Sequence, residues 1–212
     1  MRGAGSSSDD DLVFANLENT KKEIDEVEKL LTANKVTNIL KLFDVKASAE
    51  AFLSLNDSKV NILHLATHGA YIEVAESKDE NDAMRRSLLA FAGANLGDGS
   101  GIVTAADIAK MNLRHCNLAV LSACETALGQ MGPDGVFGLQ RGFKNAGVHT
   151  LLMSLRKVND EATMEMMVQF YRSLLAGQTP NQALRSAQQY LRKNGYDNPE
   201  YWASFIVLDG QQ

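Results

Sequence analysis

The sequence is short of several features that would settle its class at once. It has no excess of positive charge: 21 Lys and Arg stand against 26 Asp and Glu, for a net charge of -5 and a pI near 5.4. A nucleic-acid binder usually carries a basic patch or stripe, so no nucleic-acid partner is expected. No uninterrupted apolar run reaches the ~18 residues that a membrane helix needs, so no membrane partner is expected. Met1 to Asp11 holds one arginine and lacks the apolar core of a secretory signal. There are only two cysteines, Cys116 and Cys124, too few for a disulfide framework and with no flanking Cys or His pair at zinc spacing. No metal site is therefore expected. The default setting is reducing and cytoplasmic, where a lone reactive cysteine stays available as a thiolate. A Gly-Lys-Ser/Thr ending and a G-x-G-x-x-G loop are both missing, which argues against a nucleotide site. No internal repeat or heptad run is present.

What is present is an alternation of apolar strand-length runs with amphipathic segments. Residues 1–16 are small, polar and acidic at the start and read as a disordered lead or linker; an abrupt start of this kind suits a piece of a longer protein. Residues 17–212 are the expected folded domain. Ile24, Val27, Leu30 and Leu31 share one helical face, with Thr20 and Glu23 placed for a capping box. Val36–Phe43, Val60–Ala66, Ser87–Ala92, Leu118–Leu121, Val148–Leu155 and Phe205–Leu208 read as strands. Helices are expected at Ser48–Leu55, from Thr104, at Val136–Ala146, at Glu161–Leu175 and from Pro180. Glu73 to Arg86 reads as a charged loop, solvated or acting as a lid. The alternation predicts an α/β fold with a mainly parallel central sheet flanked by helices on both faces.

Two strands end in chemistry-bearing residues. Leu118–Leu121 leads through Ser122 and Ala123 to Cys124, and Val60–Ala66 leads to His68-Gly69. In open α/β sheets, ligands bind at the carboxyl ends of strands. An imidazole beside a thiol makes a nucleophile–base pair. The backbone N–H groups of Gly69 and Cys124 are candidate donors to an oxyanion. Sequence alone does not make the two strands neighbours, and on composition alone the favoured reading of Cys124 is a small buried hydrophobe. His64 lies four residues before His68, which on a strand is about 13 Å, too far for one metal; it reads as an interior histidine with its hydrogen bonds satisfied.

The segments ILHLATHG (Ile62 to Gly69), LAVLSACETALG (Leu118 to Gly129), NDEAT (Asn159 to Thr163) and YWASFIVL (Tyr201 to Leu208) resemble, in that order, the CHAT domain. This is a caspase-like peptidase domain often found behind tetratricopeptide repeats. The resemblance implies a caspase–haemoglobinase fold and cysteine endopeptidase activity on protein or peptide substrates; the alternatives are a non-catalytic caspase-like interaction module that keeps the peptide-binding cleft, or a latent peptidase that requires a sensor domain or partner. It implies His68 as acid/base, Cys124 as nucleophile, and Gly69 and Cys124 N–H groups as the oxyanion hole. No cofactor is implied. An activating sensor or repeat domain is the implied partner.

In related peptidases the segment after the next strand shapes the P1 pocket. Here that segment holds Arg156 and Asp160. Asp160 is read either as a partner of a basic P1 side chain or as the cap of the helix from Glu161. Arg156 departs from the tryptophan many members carry, and favours an acidic or neutral P1 or clashes with a basic one. Asp134 is read as a second P1 contributor or as a turn former beside Pro133 and Gly135.

Overall fold

The computed structural model describes residues 13–15, 17, 19–72, 80–122, 133–156 and 158–209, with main chain alone for 80–82 and 133–137. The first helix, α1 (Thr20–Ala33), turns Val27, with Leu30 and Leu31, toward the interior. Its start differs from the sequence expectation. Asn19, not Thr20, is the N-cap residue, and Glu23 is buried instead of closing a capping box. The expected strand at Val36–Phe43 does not form. Leu40 is 73% exposed, and Lys41 is drawn back to Asp25 and Glu28 of α1, so this run has no sheet to pair with.

Ser48 caps α2 (Ala49–Leu53) by accepting the Ala51 N–H. The histidine strand β1 (Ile62–Leu65) is followed at once by β2 (Gly69–Tyr71). The charged stretch ends in α3 (Glu80–Arg86), which leads into β3 (Ser87–Ala90). Then come β4 (Ile102–Thr104) and α4 (Ala105–Ile108), the latter opened by a Thr104–Asp107 capping box. The cysteine strand is β5 (Leu118–Leu121). It is followed by α5 (Pro133–Asn145), β6 (Thr150–Ser154), α6 (Asp160–Leu175), α7 (Pro180–Lys193) and β7 (Phe205–Asp209).

The larger sheet has the order β1-β5-β6-β7, with β1, β5 and β6 parallel and β7 antiparallel at the edge. It is thus a mixed α/β sheet, mainly parallel, with helices on both faces. Alternate side chains go to opposite faces, as strand geometry requires. Leu63, Ala119, Leu121, Leu151 and Met153 pack with Ile108, Leu139 and Phe143 from α4 and α5. Leu118, Val120 and Leu152 pack with Val27, Met166, Phe170 and Leu184 from α1, α6 and α7. Burying each such leucine or phenylalanine contributes about 1.5–3 kcal/mol before entropy is counted.

A second sheet, β2-β3-β4, is antiparallel throughout. Two glycines let α5 come close to its neighbours. A Cβ on Gly138 would lie 2.6 Å from the Ala83 carbonyl oxygen, and one on Gly142 would lie 2.6 Å from that of Ala105.

Candidate functional site

The register of β1 against β5 sets the geometry of the site. Leu65 pairs with Leu121, and the Ser122 N–H donates to the Leu65 carbonyl at 3.1 Å. His68 lies three positions beyond Leu65, and Cys124 lies three positions beyond Leu121. The strands that precede the two motifs are therefore adjacent and parallel, and they end in step at one sheet edge. Cys124 and the glycine segment after it lie outside the described residues, as does the Asp134 side chain. The main chain at Asp134 is helical, in the first turn of α5.

His68 stands where the chain crosses from the larger sheet to the smaller one. Its carbonyl accepts the Ala90 N–H at 2.9 Å, and the neighbouring Thr67 hydroxyl donates to the Ala90 carbonyl. Its ring is held as well. His68 Nε2 is 2.5 Å from the carbonyl oxygen of Ala15, and the Phe14 ring lies 5.5 Å from the imidazole. A carbonyl only accepts, so Nε2 carries the proton in this contact. In the neutral ring that leaves Nδ1 as the basic nitrogen. The residue is 6% exposed. Residues 13–15 belong to the stretch read as a lead from sequence, yet Phe14 is buried and packs with Ala70, Leu88 and Ala90.

Gly69 pairs with Leu89 on β3. The bonds flanking that pair run from Ala90 N–H to His68 and from Ile72 N–H to Arg86. In an antiparallel ladder this makes Gly69 and Leu89 a non-hydrogen-bonded pair. The Gly69 N–H consequently points away from β3, toward the open edge of β2.

The exit of β6 supplies the other two predicted residues. Arg156 is exposed, and its Nε–H donates to the Ser204 hydroxyl at 2.6 Å. Asp160 is the first residue of α6, but the cap is Asn159, whose side chain accepts the Ala162 N–H at 2.9 Å. Asp160 instead accepts the Asn19 N–H at 3.0 Å, which ties the start of α1 to α6. With the strand order β1-β5-β6, Arg156 and Asp160 issue on the side of the cysteine strand opposite the histidine strand.

Beneath this edge lies a buried polar cluster that sequence reasoning did not assemble. His64 Nε2 is 2.7 Å from a Glu23 carboxylate oxygen and 3.2 Å from the Ser122 hydroxyl. Its Nδ1 is 3.1 Å from the Tyr171 hydroxyl, and the two rings stack at 9°. Burial pushes the Tyr171 phenol far above its usual range, so it stays protonated and can donate to Nδ1. Ser122 and Glu23 share one ring nitrogen, which is not the two-nitrogen arrangement of a serine–histidine–acid triad. The cluster is structural, as expected of an interior histidine. Among the described residues, no group of three metal-ligating side chains is present.

Cys116 is buried, and its thiol is pushed up to about 11, chiefly by burial. It is therefore an inert packing residue. The pairing residues around His68, namely Phe14, Ala15 and Asn95, carried no signal in the sequence, because they act through main chain or lie in a polar turn.

Fold and site together define an α/β protein whose parallel strands carry a histidine motif and a cysteine motif to one sheet edge. The chain belongs to the CHAT domain family, whose family model matches residues 3–211. It is 32% identical over 108 residues to tetratricopeptide repeat protein 28 of Mus musculus, and equally to that of Homo sapiens. Each match covers 50% of this chain and 4% of the larger protein.

Proposed function

We propose that this domain is a cysteine endopeptidase of caspase-like fold. His68 serves as acid/base and Cys124 as nucleophile. The observation that carries this reading is the shared register of β1 and β5, which gives the two residues equal three-residue offsets from a directly paired Leu65 and Leu121. Membership in the CHAT domain family, which belongs to a caspase-like peptidase clan, supports the same reading.

In this mechanism Nδ1 of His68 takes the thiol proton while the Ala15 carbonyl holds Nε2–H. The thiolate attacks the scissile carbonyl, and the oxyanion accepts from the N–H groups of Gly69 and Cys124. The protonated imidazole then gives its proton to the departing amine, leaving a thioester. Water, deprotonated by the same ring, hydrolyses the thioester and restores the thiol. Arg156 and Asp160, with Asp134, are the proposed P1 determinants.

A second reading has a specific observation in its favour. His68 is 6% exposed beneath Phe14, which suits a peptidase held latent until a partner acts. The names of the matched relatives point to a tetratricopeptide repeat region as that partner. The test is thiol labelling with a peptidyl acyloxymethyl ketone. Labelling of wild type that is lost in both Cys124→Ala and His68→Ala supports the peptidase. Labelling that persists in His68→Ala contradicts the dyad.

A further inference from the structure

We propose that Asn95 is a positioning residue for His68, acting by clamping the main chain of Phe14 so that the Ala15 carbonyl meets the imidazole. The proposal rests on the reading of His68 as the base for Cys124.

The contact is unusual in its economy. The Phe14 N–H donates to Asn95 Oδ1 at 2.9 Å, and Asn95 Nδ2 donates to the Phe14 carbonyl at 2.9 Å. One side-chain amide thus engages both polar groups of a single residue 81 positions away, as a neighbouring strand would. The next carbonyl along, that of Ala15, takes the His68 Nε2 proton at 2.5 Å. Shifting Phe14 shifts the acceptor that selects the ring's tautomer.

The place of Asn95 is itself fixed. It sits in a short 3-10 turn, Ala94–Leu96, bracketed by Gly93 at φ 93° and Gly97 at φ 74°. Both angles are left-handed, where glycine is at ease and other residues are strained. The Ala94 N–H donates to Phe91 and the Leu96 N–H to Gly93, at 3.0 and 2.9 Å. Three residues separate this turn from Ala90, whose N–H donates to the His68 carbonyl. Residues 90–95 therefore grip the histidine twice: its backbone through Ala90, and its ring through Asn95, Phe14 and Ala15. An exposed asparagine chosen only for turn formation would need neither of its two bonds to Phe14.

The test follows alkylation of Cys124 by iodoacetamide from pH 5 to 9 in the intact chain, with intact-mass readout. Five proteins are compared: wild type, His68→Ala, Asn95→Ala, Asn95→Asp and Leu96→Ala. Leu96 lies in the same turn, 73% exposed, and is outside the site. Near pH 6, where an unassisted thiol is largely protonated, Asn95→Ala is expected to react about tenfold more slowly than wild type. At pH 9, where the thiolate forms without help, the rates converge. Asn95→Asp keeps the size but loses the donor, and is expected to fall with Asn95→Ala. Leu96→Ala is expected to match wild type.

If His68→Ala loses the rate near pH 6 while Asn95→Ala keeps it, the Asn95 proposal is overturned and the dyad stands. If His68→Ala itself keeps the wild-type profile, the dyad reading fails and takes this proposal with it. A Leu96→Ala profile as depressed as that of Asn95→Ala would show a general effect of the turn and overturn the specific one.

Discussion

At the residue scale, the two cysteines differ in what surrounds them. With its thiol pushed up to about 11, Cys116 has on the order of 3 thiolates in 10,000 at pH 7.5. Brief iodoacetamide treatment of the folded protein at that pH is therefore expected to add one label, at Cys124. Cys124→Ala is expected to take none, and peptide mapping that places a label on Cys116 would contradict the account. Specificity is also a residue-scale matter. Asp160→Asn keeps an acceptor for the Asn19 N–H, so unfolding is expected to shift by less than about 1 kcal/mol. A preference for basic P1 in a peptide library is expected to disappear in that variant. Arg156→Ala is expected to relax any bias against basic P1. An unchanged library profile in Asp160→Asn would leave that residue as a tie between helices and nothing more. The histidine and cysteine motifs were readable in sequence because apolar strands end in them. Glu23 was not, since a carboxylate on an amphipathic helix reads as solvent-facing until a buried His64 is found opposite it at 2.7 Å.

At the element scale, Gly142 of α5 gives a prediction whose sign discriminates. Helix propensity alone says that Gly→Ala inside a helix gains about 1 kcal/mol. The close approach to Ala105 says the opposite, since a Cβ at Gly142 meets that residue's carbonyl oxygen at 2.6 Å. Backbone cannot swing aside as a side chain can, so Gly142→Ala is expected to lose about 1–3 kcal/mol in urea unfolding. A gain would mean that α4 and α5 are not packed so closely. The buried cluster predicts a similar loss by another route. Glu23→Ala removes the carboxylate facing His64 and is expected to cost about 1–3 kcal/mol, with Glu23→Gln milder. The helices opened by Thr104 and Thr179 were legible, because each cap accepts the N–H its position predicts, whereas at α6 the cap is Asn159 and not Asp160. The run at Val36–Phe43 was not, because a strand needs a partner and composition alone does not name one.

At the scale of the whole molecule, the α/β class and the mainly parallel sheet follow from the alternation of elements. The order β1-β5-β6-β7 and the separate β2-β3-β4 sheet do not, since periodicity says which face a residue takes and not which strand lies beside it. The three-residue strands Gly69–Tyr71 and Ile102–Thr104 are too short to show a period at all. That hidden pairing sets Leu65 opposite Leu121 on adjacent parallel strands, and the proposed pairing of His68 with Cys124 rests on it. The most direct measurement is a cleavage assay. A mixture of unfolded proteins is incubated with wild type, Cys124→Ala and His68→Ala, each with and without a tetratricopeptide repeat region fused ahead of residue 1, and new N-termini are identified by mass spectrometry. Wild type is expected to make a shared set of cleavages, strongest with the repeat region present, that both variants lack. The same cleavages in the Cys124→Ala protein, or none from wild type in either form, would contradict the peptidase reading.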